Sequence, residues 1–251
     1  MSLKISIITV AYNAEKSIED TIQSVLNQTY DNIEYIIIDG NSTDRTIEIC
    51  NVYKDQIHTI ISEKDKGIYD AMNKGIELAT GDIVGVLNAD DFYIDSDVIS
   101  EIAARFNSDH CDGLYANLVY VNAEDTSKVT RTWISGEYKQ NAFLKGWMPP
   151  HPTFFVTKSC YKKFGSYNIG LKSAADYELM LRMIHRHSIK LSYLNKITVK
   201  MRVGGVSNSS FKNRLNANRE DREAWNMNGL KPELFTLIRK PLSKVFQFFN
   251  K

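Results

Sequence analysis

The chain has 251 residues, of which 43% are apolar and 24% are charged, and its formal net charge is +1. This composition excludes a disordered or fibrous protein and is typical of one large α/β domain or two small ones. The near-zero charge argues against a surface that coats nucleic acid. Cys50, Cys111 and Cys160 lie far apart with no CxxC spacing, which indicates reduced packing residues rather than a zinc or redox site.

The N-terminal segment indicates where the protein resides. It runs from Met1 directly into a β-rich stretch and lacks the apolar region and cleavage site of a signal peptide. No window approaches the roughly 20 apolar residues of a membrane-spanning helix. We therefore expect a cytoplasmic protein.

Strand and helix patterns alternate along the first part of the chain. Short apolar, β-branched runs predict strands at 4–10, 34–39, 57–61 and 83–87. Helices are predicted after a cap at Asn13, from Ser42 or Thr43, over 67–79 and over 95–106. This alternation predicts a parallel α/β sheet with right-handed crossovers, in which ligands bind at the carboxyl ends of the strands.

The second half of the chain changes to an α+β pattern. Strands are predicted at 114–121, 129–134 and 153–156, and an amphipathic helix at 174–187 on which His185 and His187 are expected at the surface. A Pro-rich loop, 147–152, precedes the last of these strands. Since no Gly/Ser-rich linker divides the chain, we interpret it as one domain with two halves.

Two adjacent carboxylates, Asp90 and Asp91, follow the fourth predicted strand. Their mutual repulsion requires a counter-cation, and hard oxygen ligands suit Mg²⁺ or Mn²⁺, which take further ligands from a substrate diphosphate. Asp39 ends the second predicted strand and is expected at the same sheet edge. The sequence therefore predicts metal-assisted, nucleotide-linked chemistry there.

Five segments carry a resemblance to a known family. They are ISIITVAYN at 5–13, IIIDGNST at 36–43, DKGIYDAMNK at 65–74, NADD at 88–91 and ADYE at 175–178. Together they resemble the family 2 glycosyltransferases with the GT-A fold, especially bacterial enzymes that build exopolysaccharide, capsule or O-antigen repeats. The resemblance implies a GT-A domain at 1–207, with a nucleotide-sugar half at 1–107 and an acceptor half at 108–207, and a C-terminal helical extension at 208–251.

The resemblance also implies the residues that bind the donor. The uridine pocket would include Thr9, Ala11, Tyr12 and Asn13, and further donor contacts would come from Asp39, Asp65, Lys74, Asp90 and Arg202. Arg202 begins a segment, 202–207, that resembles a loop closing over the diphosphate. Taken alone, these segments are also explained by an Asn-capped turn, an Asp-Gly turn and a solvated charged turn.

For the reaction itself, the resemblance implies that Asp91 holds the metal ion and that Asp176 is the catalytic base. The ion would neutralise charge on the leaving diphosphate, and Asp176 would take the proton of the acceptor hydroxyl, with inversion at the sugar. Taken alone, Asp176 is equally a helix N-cap. This chain has Asn88 where an Asp is common in the family, which leaves the ligand set of the metal open.

The acceptor is expected to meet the Pro-rich loop. By resemblance, Trp147 would stack on a sugar ring and His151 would line the acceptor site, although a histidine satisfied within the core is an equal alternative. Residues 231–251 combine basic and aromatic side chains, which suits peripheral contact with the anionic inner face of the plasma membrane. A helix that docks on the core or on a second subunit has the same composition, so the oligomeric state is left open.

The sequence thus predicts an inverting glycosyltransferase that transfers a sugar from a nucleotide-diphosphate donor, a UDP-sugar, to a glycan or lipid-linked saccharide. No nucleic-acid partner is expected. One alternative is a non-catalytic scaffold that binds sugar nucleotides or glycans. A sugar nucleotidyltransferase is disfavoured because AYNA at 11–14 is not a Gly-rich phosphate loop, and a dinucleotide oxidoreductase because no GxGxxG follows a strand.

Overall fold

The computed structural model describes residues 2–204, 211–233 and 236, with the side chains of the last helix described from Arg219 onward. The strands are β1 Ile5–Ala11, β2 Ile33–Asp39, β3 Thr59–Ser62, β4 Ile83–Asn88, β5 Asp91–Tyr93, β6 Gly113–Val121, β7 Val129–Trp133, β8 Phe155–Thr157 and β9 Leu191–Arg202. The α-helices are α1 Ile18–Leu26, α2 Thr46–Val52, α3 Ile68–Leu78, α4 Val98–Asp109, α5 Lys158–Phe164, α6 Ala175–Met180 and α7 Phe211–Met227. A π-helical turn, Leu181–Arg186, continues α6, and Ala142–Lys145 and His151–Thr153 form 3₁₀ turns.

All of the described strands belong to one sheet, in the order β3-β2-β1-β4-β8-β6-β9-β5, with β7 paired to β6. The first four in the chain are parallel, as predicted, and helices cover the faces of their apolar runs. Their register pairs Ala11 with Asp39 and Val10 with Asn88, so the strands end at one level. The predicted α/β fold with an α+β second half is confirmed.

The second half of the chain completes the sheet. β8 runs antiparallel between β4 and β6, and β9 returns parallel to β6. The strand β5, which the sequence pattern did not predict, pairs antiparallel with β9, with Asp91 opposite Met201. This pairing holds the Asp90-Asp91 segment against the sheet, since its backbone is part of a ladder rather than of a free turn.

Two predicted helix starts are wrong. α1 begins at Ile18, and Asn13 does not cap it: Asn13 has a left-handed backbone (φ 49°), and its Oδ1 accepts a hydrogen bond of 2.9 Å from the Thr43 amide. α2 begins at Thr46, because the Ser42 hydroxyl donates to Asp39 instead. The polar side chains of these two loops bond to each other and to the strand end, so they are not available as caps.

The predicted helix at 174–187 is present, but one of its histidines is not a surface residue. His185 is half-buried between the rings of Phe143 and Trp225, and burial lowers its pKa. The helix α7 causes this, because its fully buried Trp225 covers the position. His187 is exposed, as expected, and stacks on Phe164.

Cys50, Cys111 and Cys160 are all buried free thiols, as expected of packing residues. Within the described segments, no helix combines the length and the apolarity needed to cross a bilayer. Of the tail predicted at 231–251, only 231–233 and 236 are described, and the rest lies outside the described residues. The division at 207/208 stays a prediction.

Candidate active site

The end of β2 presents a fully buried carboxylate, Asp39. Its Oδ2 accepts hydrogen bonds from the Ser42 amide (2.9 Å) and the Ser62 hydroxyl (2.6 Å). These donors satisfy the buried charge and hold the carboxylate in one orientation. The side chain thus lies at the sheet edge where ligands bind in open α/β folds.

Three of the predicted donor residues meet around Gly40, the residue after Asp39. A Cβ atom on Gly40 would lie 2.5 Å from Asp65 Oδ2 and 3.4 Å from Tyr12 Cδ2, so only glycine admits both side chains here. The Tyr12 ring is 66% exposed, which leaves a face for a planar ligand. Asp65 is oriented by the Gly67 amide, which donates to its Oδ1 over 2.8 Å.

The other predicted donor residues on this side contribute in different ways. Thr9 is fully buried, and its hydroxyl lies 3.1 Å from that of Tyr35, so its side chain bonds within the core. Ala11 pairs with Asp39, and the Ala11 carbonyl accepts the Gly40 amide (2.9 Å). Lys74 binds Glu63 over 2.7 Å, which raises the pKa of its ammonium group and keeps it charged.

The end of β4 contains two buried oxygen atoms that lack a hydrogen-bond partner among the described residues: Oδ1 of Asn88 and Oδ1 of Asp91. Asp91 is fully buried; burial raises the pKa of its carboxyl group well above the usual value, and Asp90 raises it further. The two side chains are in contact, since the Asn88 amide nitrogen donates to the other carboxylate oxygen, Asp91 Oδ2, over 3.5 Å. Buried carboxylate and amide oxygens without a partner fit a hard divalent cation. These two side chains are therefore the ones that would hold Mg²⁺ or Mn²⁺.

The protein supplies few ligands for such an ion. In the described part of the chain, no three His, Cys, Asp or Glu side chains are grouped closely enough to enclose a metal. Mg²⁺ in particular is commonly bound through one or two carboxylates, with waters and substrate phosphates completing its shell. The site fits an ion that is held together with a diphosphate.

Arg202, at the end of β9, supports the segment that contains Asp90 and Asp91. Its guanidinium donates to the Asp90 carbonyl (2.9 Å), forms an ion pair with Asp20, and lies 4.8 Å from the centre of the Phe92 ring. Only 8% of Arg202 is exposed. Its charge lowers the pKa of Asp91, opposing the effect of burial. The rest of the predicted closing loop, from 205 on, lies outside the described residues.

Asp176 lies in the first turn of α6 and faces the same site. Its Oδ1 accepts a hydrogen bond of 3.3 Å from the Tyr69 hydroxyl, and its Oδ2 lies 3.5 Å from His151 Nδ1. The other ring nitrogen of His151, Nε2, lies 3.3 Å from Asn88 Nδ2. His151 therefore lies between the predicted base, Asp176, and Asn88, one of the two residues of the candidate metal site.

Tyr120 on β6 lies within electrostatic range of both Asp91 and Asp176. Burial raises the pKa of its phenol, and the charges of both Asp91 and Asp176 raise it further, whereas Arg131 lowers it. The Arg131 guanidinium lies 4.0 Å from the centre of the Tyr120 ring. Two carboxylates that are distant in sequence thus act on one hydroxyl group.

Trp147 occupies a structural position in the loop before His151. Its indole N–H donates to the Ser135 carbonyl over 2.8 Å, and its rings pack against Tyr115, Tyr138 and Phe143. The side chain is partly buried. A role in stacking on an acceptor sugar remains a prediction.

Sequence reasoning missed two residues near Asp176: one contacts its carboxylate, and the other contacts the segment just before α6. Tyr69 lies within the segment that carries the family resemblance but was not singled out. Glu220 on α7 is buried, and its Oε2 accepts hydrogen bonds from the Ser173 amide and hydroxyl (2.8 and 2.9 Å), just before α6. The only signal for Glu220 is an acidic residue on a polar helix, which is normally a solvated position.

The sequence model of Glycosyl transferase family 2 matches residues 6–165, more than half of the chain. The chain belongs to glycosyltransferase family 2. A glycosyltransferase of Haemophilus influenzae described as uncharacterized is 31% identical over 83% of this chain and 82% of its own length. A Mycobacterium bovis protein named PGL/p-HBAD biosynthesis glycosyltransferase is 28% identical over 81% of this chain and 79% of its own length.

Solved structures confirm the GT-A fold of this family 2 glycosyltransferase. Staphylococcus aureus TarS, residues 1–349, in complex with UDP is 20% identical and superposes with a TM-score of 0.68, covering 94% of this chain and 68% of that one. The mannosyltransferase PcManGT of Pyrobaculum calidifontis, in complex with GDP-Man and Mn²⁺, gives a TM-score of 0.67 at 15% identity, covering 95% and 68%.

Proposed function

We propose that this family 2 glycosyltransferase is metal-dependent and inverting, and that it transfers a sugar from a UDP-sugar to a hydroxyl of a glycan or lipid-linked saccharide in bacterial surface polysaccharide synthesis. The proposal depends on one observation: His151 connects Asp176 to Asn88, beside the orphaned oxygen of Asp91. A general base and a cation site within the span of one imidazole ring match the two groups that a sugar transfer requires.

The donor would bind across the ends of β1, β2 and β4. Tyr12 offers an exposed ring face for the base, and Asp39 and Asp65 offer carboxylate acceptors for the base edge or the ribose hydroxyls. TarS has been solved with UDP and with UDP-GlcNAc, which supports uridine as the base, whereas PcManGT has been solved with GDP-Man. We therefore propose a UDP-sugar, with a GDP-sugar as the outcome to test against.

The transfer step follows from the position of Asp176. Its carboxylate accepts the proton of the acceptor hydroxyl, and the oxygen forms a bond to the anomeric carbon. The bond between that carbon and the diphosphate oxygen breaks, and the nucleoside diphosphate leaves with the electron pair. A Mg²⁺ or Mn²⁺ ion held by Asp91 and Asn88 would supply the positive charge that stabilises this leaving group. Attack opposite the leaving group inverts the configuration.

The first experiment identifies the donor. The protein is heated with UDP-, GDP- and CMP-sugars, with and without Mn²⁺, and its melting temperature is recorded. We expect stabilisation by a UDP-sugar that increases with Mn²⁺, followed by slow release of UDP when the donor is incubated with the enzyme. Stabilisation by a GDP-sugar would show that the donor carries guanine and not uracil. Stabilisation without any release of nucleotide would favour a binding scaffold.

Two isosteric variants then separate the roles of the carboxylates. Asp176→Asn should lower transfer by about 100-fold or more while leaving the thermal shift caused by the donor unchanged, because the base acts on the acceptor. Asp91→Asn should remove the additional shift caused by Mn²⁺. Asp55→Asn, an exposed carboxylate, is the matched control. Full activity of either site variant would refute the role of that residue, and a product with retained anomeric configuration would refute inversion.

A further inference from the structure

The side chains of Asn88, His151 and Asp176 lie in a row, with His151 in the middle. Asn88 Nδ2 is 3.3 Å from His151 Nε2, and His151 Nδ1 is 3.5 Å from Asp176 Oδ2. The amide nitrogen of Asn88 carries only donor hydrogens, so a hydrogen bond to Nε2 requires Nε2 to be the acceptor. A neutral imidazole then has its hydrogen on Nδ1, the atom that faces Asp176.

The nitrogen and the oxygen of the Asn88 side-chain amide have different surroundings. Its Nδ2 lies 3.3 Å from His151 Nε2 and also donates to Asp91 Oδ2 over 3.5 Å, whereas its Oδ1 is buried with no hydrogen-bond partner in the described part of the chain. An aspartate at position 88 would present acceptors in both directions and would draw the imidazole hydrogen to Nε2. A neutral ring would then turn a bare Nδ1 lone pair toward the Asp176 carboxylate, which is repulsive, and a ring protonated on both nitrogens would be charged.

We propose that Asn88 fixes the Nδ1–H tautomer of His151 and that His151, in turn, holds the Asp176 carboxylate in the orientation that accepts the acceptor proton. His151 is thus a positioning residue, and this inference rests on the proposed role of Asp176 as the base. Tyr69 donates to Oδ1 of Asp176, and His151 Nδ1 faces the other carboxylate oxygen, Oδ2, at 3.5 Å. Burial raises the pKa of the Tyr69 phenol, and Asp176 raises it further, so that Tyr69 remains a neutral donor.

The loop around His151 holds the ring in place. His151 opens a 3₁₀ turn that leads directly into β8, and the buried Thr153 hydroxyl donates to the Pro150 carbonyl over 2.9 Å. β8 pairs with β4, the strand that ends at Asn88. His151 and Asn88 are therefore attached to adjacent strands. The 3.5 Å distance between His151 Nδ1 and Asp176 Oδ2 can shorten without a rearrangement of the fold, as catalytic hydrogen bonds commonly do when substrate binds.

Two substitutions separate the ends of the imidazole. The amide nitrogen of Asn at position 151 replaces Nδ1, and that of Gln replaces Nε2. We expect kcat of His151→Asn to exceed that of His151→Gln by about tenfold or more, with the same donor KM in both variants. His187→Asn, on an exposed histidine, is the matched control. Retention by Gln with loss by Asn would overturn the proposal, as would equal activities of the two variants.

A second measurement does not depend on activity or on a bound ion. The ¹⁵N chemical shifts of histidine distinguish a protonated ring nitrogen from an unprotonated one. In ¹⁵N-histidine-labelled, metal-free protein we expect His151 to show Nδ1–H and a bare Nε2, and Asn88→Asp to place a hydrogen on Nε2. The Nε2–H tautomer in the natural protein would overturn the inference even if Asp176→Asn proves inactive. Activity of Asp176→Asn with the expected tautomer would instead refute the proposed base.

Discussion

The Trp225 indole N–H donates a hydrogen bond of 2.9 Å to the hydroxyl of Tyr177, the residue that follows Asp176 in α6. Trp225 is fully buried, and only 2% of Tyr177 is exposed. Asn228, just beyond α7, donates to Glu178 over 2.9 Å. Together with Glu220, these contacts attach α7 to both sides of the helix turn that carries the proposed base. The helix α7, which lies beyond the residues matched by the family model, therefore packs against the turn that carries Asp176.

Removing the hydrogen bond between Trp225 and Tyr177 tests whether α7 supports α6. Trp225→Phe keeps an aromatic ring but loses the donor and part of the packing, so the free energy of unfolding should fall by roughly 1–3 kcal/mol. We expect kcat to fall as well, because α6 loses a fixed contact next to Asp176. Denaturant titration and transfer assays measure the two effects. Arg222→Gln, on the exposed face of α7, should change neither; an unchanged kcat in a destabilised Trp225→Phe would show that α7 stabilises without positioning.

Arg202 can act on the donor directly or by supporting the acidic segment. It contacts the Asp90 carbonyl and the Asp20 carboxylate, which favours support. We then expect Arg202→Lys and Asp20→Asn to weaken Mn²⁺ activation to a similar degree, since a lysine cannot make both contacts with one planar group. Titration of activity with Mn²⁺ measures this. A large rise in donor KM in Arg202→Lys, with Asp20→Asn unaffected, would identify a direct donor contact instead.

Glu34 makes stability depend on pH at the opposite edge of the sheet. Burial by itself raises its pKa, but hydrogen bonds from Lys4, Ser6 and Thr80 outweigh burial and lower the pKa from 4.5 to about 2. Because the folded-state pKa is depressed, the carboxylate stabilises the fold fully above pH 4.5, and this contribution is lost as the pH falls through about 2.

The corresponding variant is Glu34→Gln. It should lower the free energy of unfolding by roughly 1–3 kcal/mol at pH 7, where the charged bonds exist, and the difference from the natural protein should shrink as the pH is lowered toward 2. Urea unfolding at a series of pH values measures this. Glu48→Gln removes an ion pair between two exposed side chains and should have little effect at any pH. A pH-independent Glu34→Gln difference would contradict the assignment.

Gly85 allows β4 and β8 to pack closely. It pairs with Phe155, and a Cβ atom at this position would lie 2.3 Å from Phe155 Cε1. Gly85→Ala should therefore destabilise the fold by roughly 1–3 kcal/mol through overpacking. Because Phe155 follows the His151 turn closely, kcat should fall too. The double variant Gly85→Ala/Phe155→Leu makes room for the methyl group, and stability no better than that of Gly85→Ala alone would argue against overpacking.

Local patterns in the sequence were enough to predict much of this molecule. Apolar, β-branched runs that stop at polar residues placed Asp39 and Asp90 at strand ends, because side-chain periodicity and strand length are local properties. The same reasoning did not find β5, since three residues have no readable period, and it misassigned Asn13 and Ser42 as caps. Their hydrogen bonds go to another loop and to a strand end, and local propensity carries no information about such partners.

The sequence by itself determined the α/β class, the parallel direction of the first four strands and, through motifs that follow one another at family-like spacing, the family. Only the tertiary structure decided which atoms face each other: that Tyr69 donates to Asp176 across 107 positions of sequence, that His151 reaches Asn88, and that α7 braces α6. The physical reason is that strands and helices follow from the pattern of apolar and polar residues along a short segment. The geometry of a site depends instead on packing between segments that are far apart in the sequence.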